Sequence, residues 1–454
     1  MHPLPVLRTL QRALMLALVV ALLTGGASTS FGQAMPSMPA PTSSNLVCTT
    51  NPSGTFTLTA KVGSISVPDG NIVYMWGFAL GDGPFQYPGP VLCVNQGDTV
   101  TVVLHNTLTE DVSIIFPGQV DVMVDGEPSQ PVLDAGGNLV SLAKAAAAGG
   151  GSVTYSFVAR EPGTYLYQSG TNPDKQVQMG LAGTLIVRPT VGADYVYNSA
   201  DTRFKPDTEY LLFLSEIDPT MHQAVEQGLS FDMRNYHPRY WLINGRGFPD
   251  TLAPNFAPWL PNQPYSALER IHPYDPINNP LPMLNRFLSV GTFNYPFHAH
   301  GQHVRVIARD GRLLKGPLGE DLSYEKFTVT IGPGQTMDTL FRWGDPDRGI
   351  GYDIYGHAPT DPMLPGEFPG DHGVPLPVTV PSEQDQTTGM YYSGSPFLGA
   401  MGPMLPGMMT YNQCGEMYII AHNHALQQIV AWDVTMSGMA TYIRIDPPLP
   451  NMCP

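Results

Sequence analysis

Two His-x-His pairs are the residues whose type and spacing best suit chemistry: His298 with His300, and His422 with His424. Residues two apart on a strand face the same way, so each pair presents two imidazoles on one face. If the two strands lie close together, up to four ring nitrogens converge. Neutral imidazole suits Cu(II), zinc and related borderline ions, so a one-metal or loose two-metal site is the chemistry to expect. The bland alternative is a polar cluster held by hydrogen bonds and water. His303 follows the first pair out of phase with it and belongs behind the ligands rather than among them. His222, His237, His272, His357 and His372 are scattered without a partner pattern and read as surface or core histidines.

Methionines give a second signal. Met401, Met404, Met408 and Met409 lie in a Gly/Pro-rich stretch flanked by Met390 and Met417. Thioethers favour Cu(I), yet methionine is also a flexible filler of irregular loops. There is no Gly-rich phosphate loop, no Cys-x-x-Cys and no Gly-x-Ser-x-Gly elbow.

The elements that must position the histidines are strands. Residues 1–34 read as a secretory signal peptide: Arg8 and Arg12, an apolar run from Ala13 to Leu23, and small residues up to Ala34. That run is short for a membrane span and no later one replaces it, so the expected location is secreted or periplasmic. Residues 35–47 form a flexible leader. The formal charge of −16 repels nucleic acid and anionic lipid, which excludes both as partners. Cys48, Cys93, Cys414 and Cys453 are even in number, as a disulfide set requires in an oxidising setting. Cys48–Cys93 and Cys414–Cys453 each close a loop within one half of the chain; three pairings are open to four cysteines.

With 47 glycines and 46 prolines punctuating runs rich in Val, Tyr and Phe, the chain reads as all-β. Strands are expected at 55–62, 72–79, 99–105, 153–158, 164–167 and 184–187, which places a first domain over 48–190. A second domain over 205–454 has strands at 209–214, 240–243, 297–308, 327–331, 337–342, 417–421 and 441–445. Irregular insertions near 252–282 and 344–415 interrupt it. Ala143–Ala148 allows a turn or two of helix at most.

Several phrases, in order, resemble the multicopper oxidase and copper nitrite reductase superfamily. They are Pro88-Gly89-Pro90 with Val94-Asn95-Gln96-Gly97-Asp98, Gly163-Thr164-Tyr165-Leu166-Tyr167, and Gly180-Leu181-Ala182-Gly183-Thr184. Asn244-Gly245-Arg246-Gly247, Gly334-Gln335-Thr336-Met337-Asp338, Tyr295-Pro296-Phe297-His298-Ala299-His300 and His422-Asn423-His424 complete the set. The resemblance implies two cupredoxin-like Greek-key β-sandwich domains with copper as cofactor, zinc being the alternative. A homotrimer is implied by resemblance alone, as is an envelope-protein or electron-transfer partner.

Aligned on these phrases, the family's first two histidine pairs fall on Ile115 with Pro117 and on Gln168 with Gly170, so those imidazoles are missing. Gln168 retains at most a weak oxygen ligand. Asn423 stands where the blue copper thiolate belongs, Tyr295 where its preceding histidine belongs, and Ser169 where a nitrite-reductase-like cysteine would be. The chain is thus identified as a degenerate member without blue copper, in which His298, His300, His422 and His424 survive as metal ligands. Three functions follow as expectations: a copper-holding or scaffold protein, an oxidoreductase working through a non-blue copper, or a Met-rich copper carrier. Ordinary laccase turnover is not expected.

Overall fold

The computed structural model describes residues 46–300, 303–344, 362, 417–431, 434–446 and 449. The expected signal peptide, all but the last two residues of the expected leader, most of the 344–415 stretch with its methionines, and the expected Cys414–Cys453 pairing lie outside the described residues.

Four main sheets form two sandwiches. In the first, a six-stranded sheet runs in the order Ile72–Leu80, Thr55–Ser66, Thr99–Asn106, Gly151–Val158, Met123–Val124, Glu127–Pro128. It faces a four-stranded sheet ordered Cys48–Thr49, Val91–Asn95, Ala182–Arg188, Gly163–Gln168. Alternation explains the packing: Phe56, Leu58 and Ala60 point inward from one sheet and meet Leu92, Leu185 and Val187 from the other. The predicted Cys48–Cys93 disulfide is present and staples the opening strand beside Val91 and Leu92.

The second sandwich pairs a seven-stranded sheet with a five-stranded one. The larger runs Tyr240–Ile243, Glu209–Ile217, Met283–Ser289, Thr336–Phe341, Val304–Arg309, Arg312–Leu313, with Tyr324–Lys326 also on Val304–Arg309. The smaller runs Glu269–Ile271, Ala440–Ile445, Met417–Asn423, Tyr295–Ala299, Thr328–Ile331. All nine residues of Glu209–Ile217 are buried because the strand has two apolar faces. Tyr210, Leu212 and Leu214 enter the second core, while Leu211, Phe213 and Ile217 pack with Cys93 and Ile186 of the first sandwich.

Two local expectations need correction. The single strand expected over 297–308 is two strands, and the chain leaves the five-stranded sheet after Ala299 to enter the seven-stranded one at Val304. The insertion near 252–282 is not wholly irregular, since Glu269–Ile271 joins the five-stranded sheet beside Ala440–Ile445. Ala143–Ala148, allowed a turn or two of helix at most, forms none; Ala146 bridges to Val112. An eight-residue helix, Pro219–Glu226, forms where none was expected, capped by Asp218, whose carboxylate accepts from the amides of Thr220 and Met221.

Candidate metal centre

The two histidine pairs sit on neighbouring antiparallel strands of the five-stranded sheet. Their register places His298 opposite His422, with Phe297 against Asn423 and Ala299 against Ala421. Phe297, Ala299 and Ala421 fill the core, so the imidazoles project from the outer face. His422 is buried, His298 and His300 are half-buried and His424 is exposed. The sheet therefore brings all four expected residues together. Ring centroids lie 4.8 Å apart for His298 and His424, 5.0 Å for His298 and His300, and 5.2 Å for His300 and His422.

Hydrogen bonds orient the rings. His298 Nδ1 lies 2.8 Å from Thr328 Oγ1, and His422 Nδ1 lies 2.8 Å from the carbonyl oxygen of Asn423. In each ring these bonds leave Nε2 to face its neighbours, and that of His422 meets His300 Nε2. The peptide N–H of His424 donates to Pro296, and that of His300 to Ile420, at 2.7 and 3.0 Å, which pins the backbone on both sides. Burial, reinforced by repulsion from His300, His422 and His424, pushes His298 down to about 4. Burial also takes His422 down to about 4, against the opposing pull of the Asn423 carbonyl. Both rings are neutral near pH 7 and have lone pairs to offer.

The donor set fits copper or zinc in chemistry, though the rings are not gathered into a finished cage. Among the described residues, no three His, Cys, Asp or Glu side chains form a closed metal-holding group. His300 Nε2 and His422 Nε2 are, however, 3.1 Å apart. With bonds of about 2.0–2.1 Å, two ligands of one ion are separated by roughly that much. The other two imidazoles border this pair, His298 edge-on to both rings and His424 stacked on His422 at 5.5 Å. His303 stacks on Phe327 at 3.7 Å and stands aside from the four, as its phase suggests.

The positions expected to lack ligands make other bonds. Ile115 and Gln168 are joined backbone to backbone, at 2.8 and 3.1 Å. Ser169 is fully buried, and its hydroxyl donates to Gln176 Oε1 at 2.6 Å. Nearby, the hydroxyls of Ser113, Ser141 and Thr171 form a closed triangle with sides of 2.9–3.0 Å. Asn423 is fully buried; its amide nitrogen meets Gln428 Oε1, and the Met439 sulfur lies 3.3 Å away. Tyr295 is fully buried too. Sequence reasoning did not single out Thr328, Gln428 or Met439, which orient or flank the histidine strands. Gln428 stands five residues beyond Asn423, close enough to be noticed; Thr328 is thirty residues from its histidine and carries no local mark.

Comparison with known proteins agrees with this architecture. Residues 85–191 match the multicopper oxidase family model. L-ascorbate oxidase of Cucumis sativus is 33% identical over 264 residues, 55% of this chain and 41% of that protein. Laccase-2 of Cryptococcus neoformans is 27% identical over 294 residues, 61% of this chain and 43% of its own length. The chain thus spans less than half the length of these curated relatives. Among solved structures, the blue copper oxidase of Nitrosomonas europaea shares the fold with a TM-score of 0.54 and 18% identity, over 86% of this chain and 85% of that one.

Proposed function

Because the chain belongs to the multicopper oxidase superfamily, we propose that it is an exported metal-binding or scaffold protein that holds non-blue copper at His298, His300, His422 and His424. The observation that carries this reading is the cross-strand pairing of His298 with His422, which sets four imidazoles on one sheet face. Copper bound there supplies a redox-active Lewis acid. The protein's own part is to keep the rings neutral by burial and to fix Nε2 as the ligating atom, through Thr328 on one ring and the Asn423 carbonyl on another. Where a blue centre would need sulfur from the residue between the last two histidines, Asn423 offers an amide already bound to Gln428. A missing thiolate removes the usual one-electron entry, which favours holding metal over laccase turnover. Imidazole donors do not separate copper from zinc.

A second reading, an oxidoreductase using the same non-blue copper on a small molecule, draws support from exposed His424 and half-exposed His298, which leave the site open to solvent. A homotrimer, a protein partner in the envelope and a copper-carrier role for Met401–Met409 remain proposals of the resemblance and the sequence.

Metal content of the purified full chain after separate copper and zinc loading tests the main reading, beside a His298→Ala/His300→Ala variant. One ion per chain, or fewer if subunits share it, lost in the variant, is the expected result. Equal metal in both proteins, or none in either, would sink it.

A further inference from the structure

Behind the histidine-bearing strand lies a buried pair of oxygens that ordinary packing does not explain. Tyr295 opens that strand, points into the core and is fully buried, and its hydroxyl has no hydrogen-bond partner. Oε2 of buried Glu216 is likewise unpartnered. A side chain at Gly291 would overlap both Tyr295 Oη and Glu216 Oε2. The two oxygens therefore share one small space, within hydrogen-bonding reach, made available by a residue with no Cβ. Buried polar groups are almost always satisfied, so two orphans facing each other call for a role.

The surroundings suit electron and proton movement. The Trp241 ring lies 6.5 Å from Tyr295 in an edge-on contact and 5.4 Å from Phe293, which is 41% exposed. Glu216 Oε1 accepts from the amide and hydroxyl of Thr292 at 2.6 and 2.9 Å, and from Tyr236 Oη at 3.3 Å. Burial raises this carboxyl to about 7 despite those bonds, which makes its anion a stronger proton acceptor than an ordinary carboxylate. Tyr295 stands three residues before His298 on the same strand, roughly 10 Å along it.

We infer that Tyr295 is a redox-active residue, a one-electron station that hands its phenolic proton to Glu216 as it is oxidised. The inference rests on the proposed metal reading for its electron acceptor, a one-electron oxidant of the cupric class at the four imidazoles. The O–H bond of Tyr295 breaks, the proton passes to Glu216 Oε2, and the electron passes to that oxidant, leaving a neutral phenoxyl radical and a neutral carboxylic acid. A reducing phenol or other one-electron donor returns the electron, and Glu216 returns the proton. This chain would then carry a tyrosine where its relatives' layout calls for a copper-ligating histidine.

The test oxidises the metal-free full chain with one equivalent of hexachloroiridate(IV), a one-electron oxidant, and reads the frozen sample by electron paramagnetic resonance. A phenoxyl signal is expected in the wild type and in Tyr324→Phe, with loss to background in Tyr295→Phe and slowed formation in Glu216→Gln. Tyr295→Phe removes only an unpartnered hydroxyl, and a circular dichroism spectrum matching the wild type verifies its fold; were it not to fold, the Glu216→Gln kinetics decide. An undiminished signal in Tyr295→Phe, unchanged kinetics in Glu216→Gln, or no signal in the wild type overturns the inference. Copper loading measured on the same preparations separates this result from failure of the metal reading.

Discussion

At the scale of single residues, the site depends on neighbours that bind nothing themselves. Thr328 Oγ1 fixes the His298 ring at 2.8 Å, and removing such an orienting partner typically weakens metal affinity about 10-fold or more. Thr328→Val should show that loss in a chelator-competition titration for copper; an unchanged dissociation constant would mean that the ring is held by other means. Glu269 is a different case. Its two carboxyl oxygens and Asn285 Oδ1 are buried and make no well-formed hydrogen bond. With Phe287, Phe297, Val304 and Phe327 they line a cavity of roughly 10 Å³, the room one water centre needs. Burial lifts the Glu269 carboxyl from 4.5 to about 8, with Asn285 pulling the other way. Between those values the unfolded chain has shed its proton while the folded chain retains it, so stability falls as pH rises from 4.5 to 8 and is level above. Glu269→Gln should flatten denaturation midpoints across that window. A variant with the wild-type slope would show that another group sets it.

Among the elements, the strands were readable where one face is wet. Gly151–Val158 and Thr99–Asn106 alternate buried and open positions, as period-two patterning requires. Legibility failed where both halves of a run looked alike. Tyr295–Ala299 and Val304–Arg309 carry the same alternating texture, and nothing local shows that the second pairs with Thr336–Phe341 in another sheet. The histidine pairs were visible as motifs because ligand spacing on a strand is local. Their supports were not: Thr328 and Met439 reach the site through strand pairing and core packing over long stretches of chain. The helix Pro219–Glu226 had a visible start in Asp218-Pro219, but eight residues gave too little periodicity to declare the rest. Asp218 also accepts from the His237 amide at 2.7 Å. Asp218→Ala should therefore lower unfolding stability by about 1–2 kcal/mol; a change within error in a urea melt would show that packing alone fixes this helix.

Across the whole molecule, the two sandwiches are joined by a buried ionic network as well as by apolar packing. Arg188 of the first sandwich forks onto Glu209 of the second at 2.7 and 2.8 Å, and Arg286 reaches the same carboxylate at 2.6 Å. Thr164 from the first and Tyr197 from the connecting segment donate to Asp338 of the second at 2.5 and 2.7 Å. Burial pushes the Asp338 carboxyl up while Arg286 pulls it down. Removing one partner of such a set strands the others, at a cost of about 3–5 kcal/mol. Asp338→Asn should show a loss of that size in equilibrium denaturation. A shift no larger than that of a surface pair would mean the network is slack.

The doubly buried strand Glu209–Ile217 carries a further consequence, one for how such chains diversify. Because its second face is completed by Cys93, Ile186 and their neighbours, the halves are not modules that recombination could exchange freely. A gene cut in the connecting segment would leave each product with a bare apolar sheet. A donor half would have to bring its own matching face, so inheritance of the two halves is tied together by shape as well as by linkage.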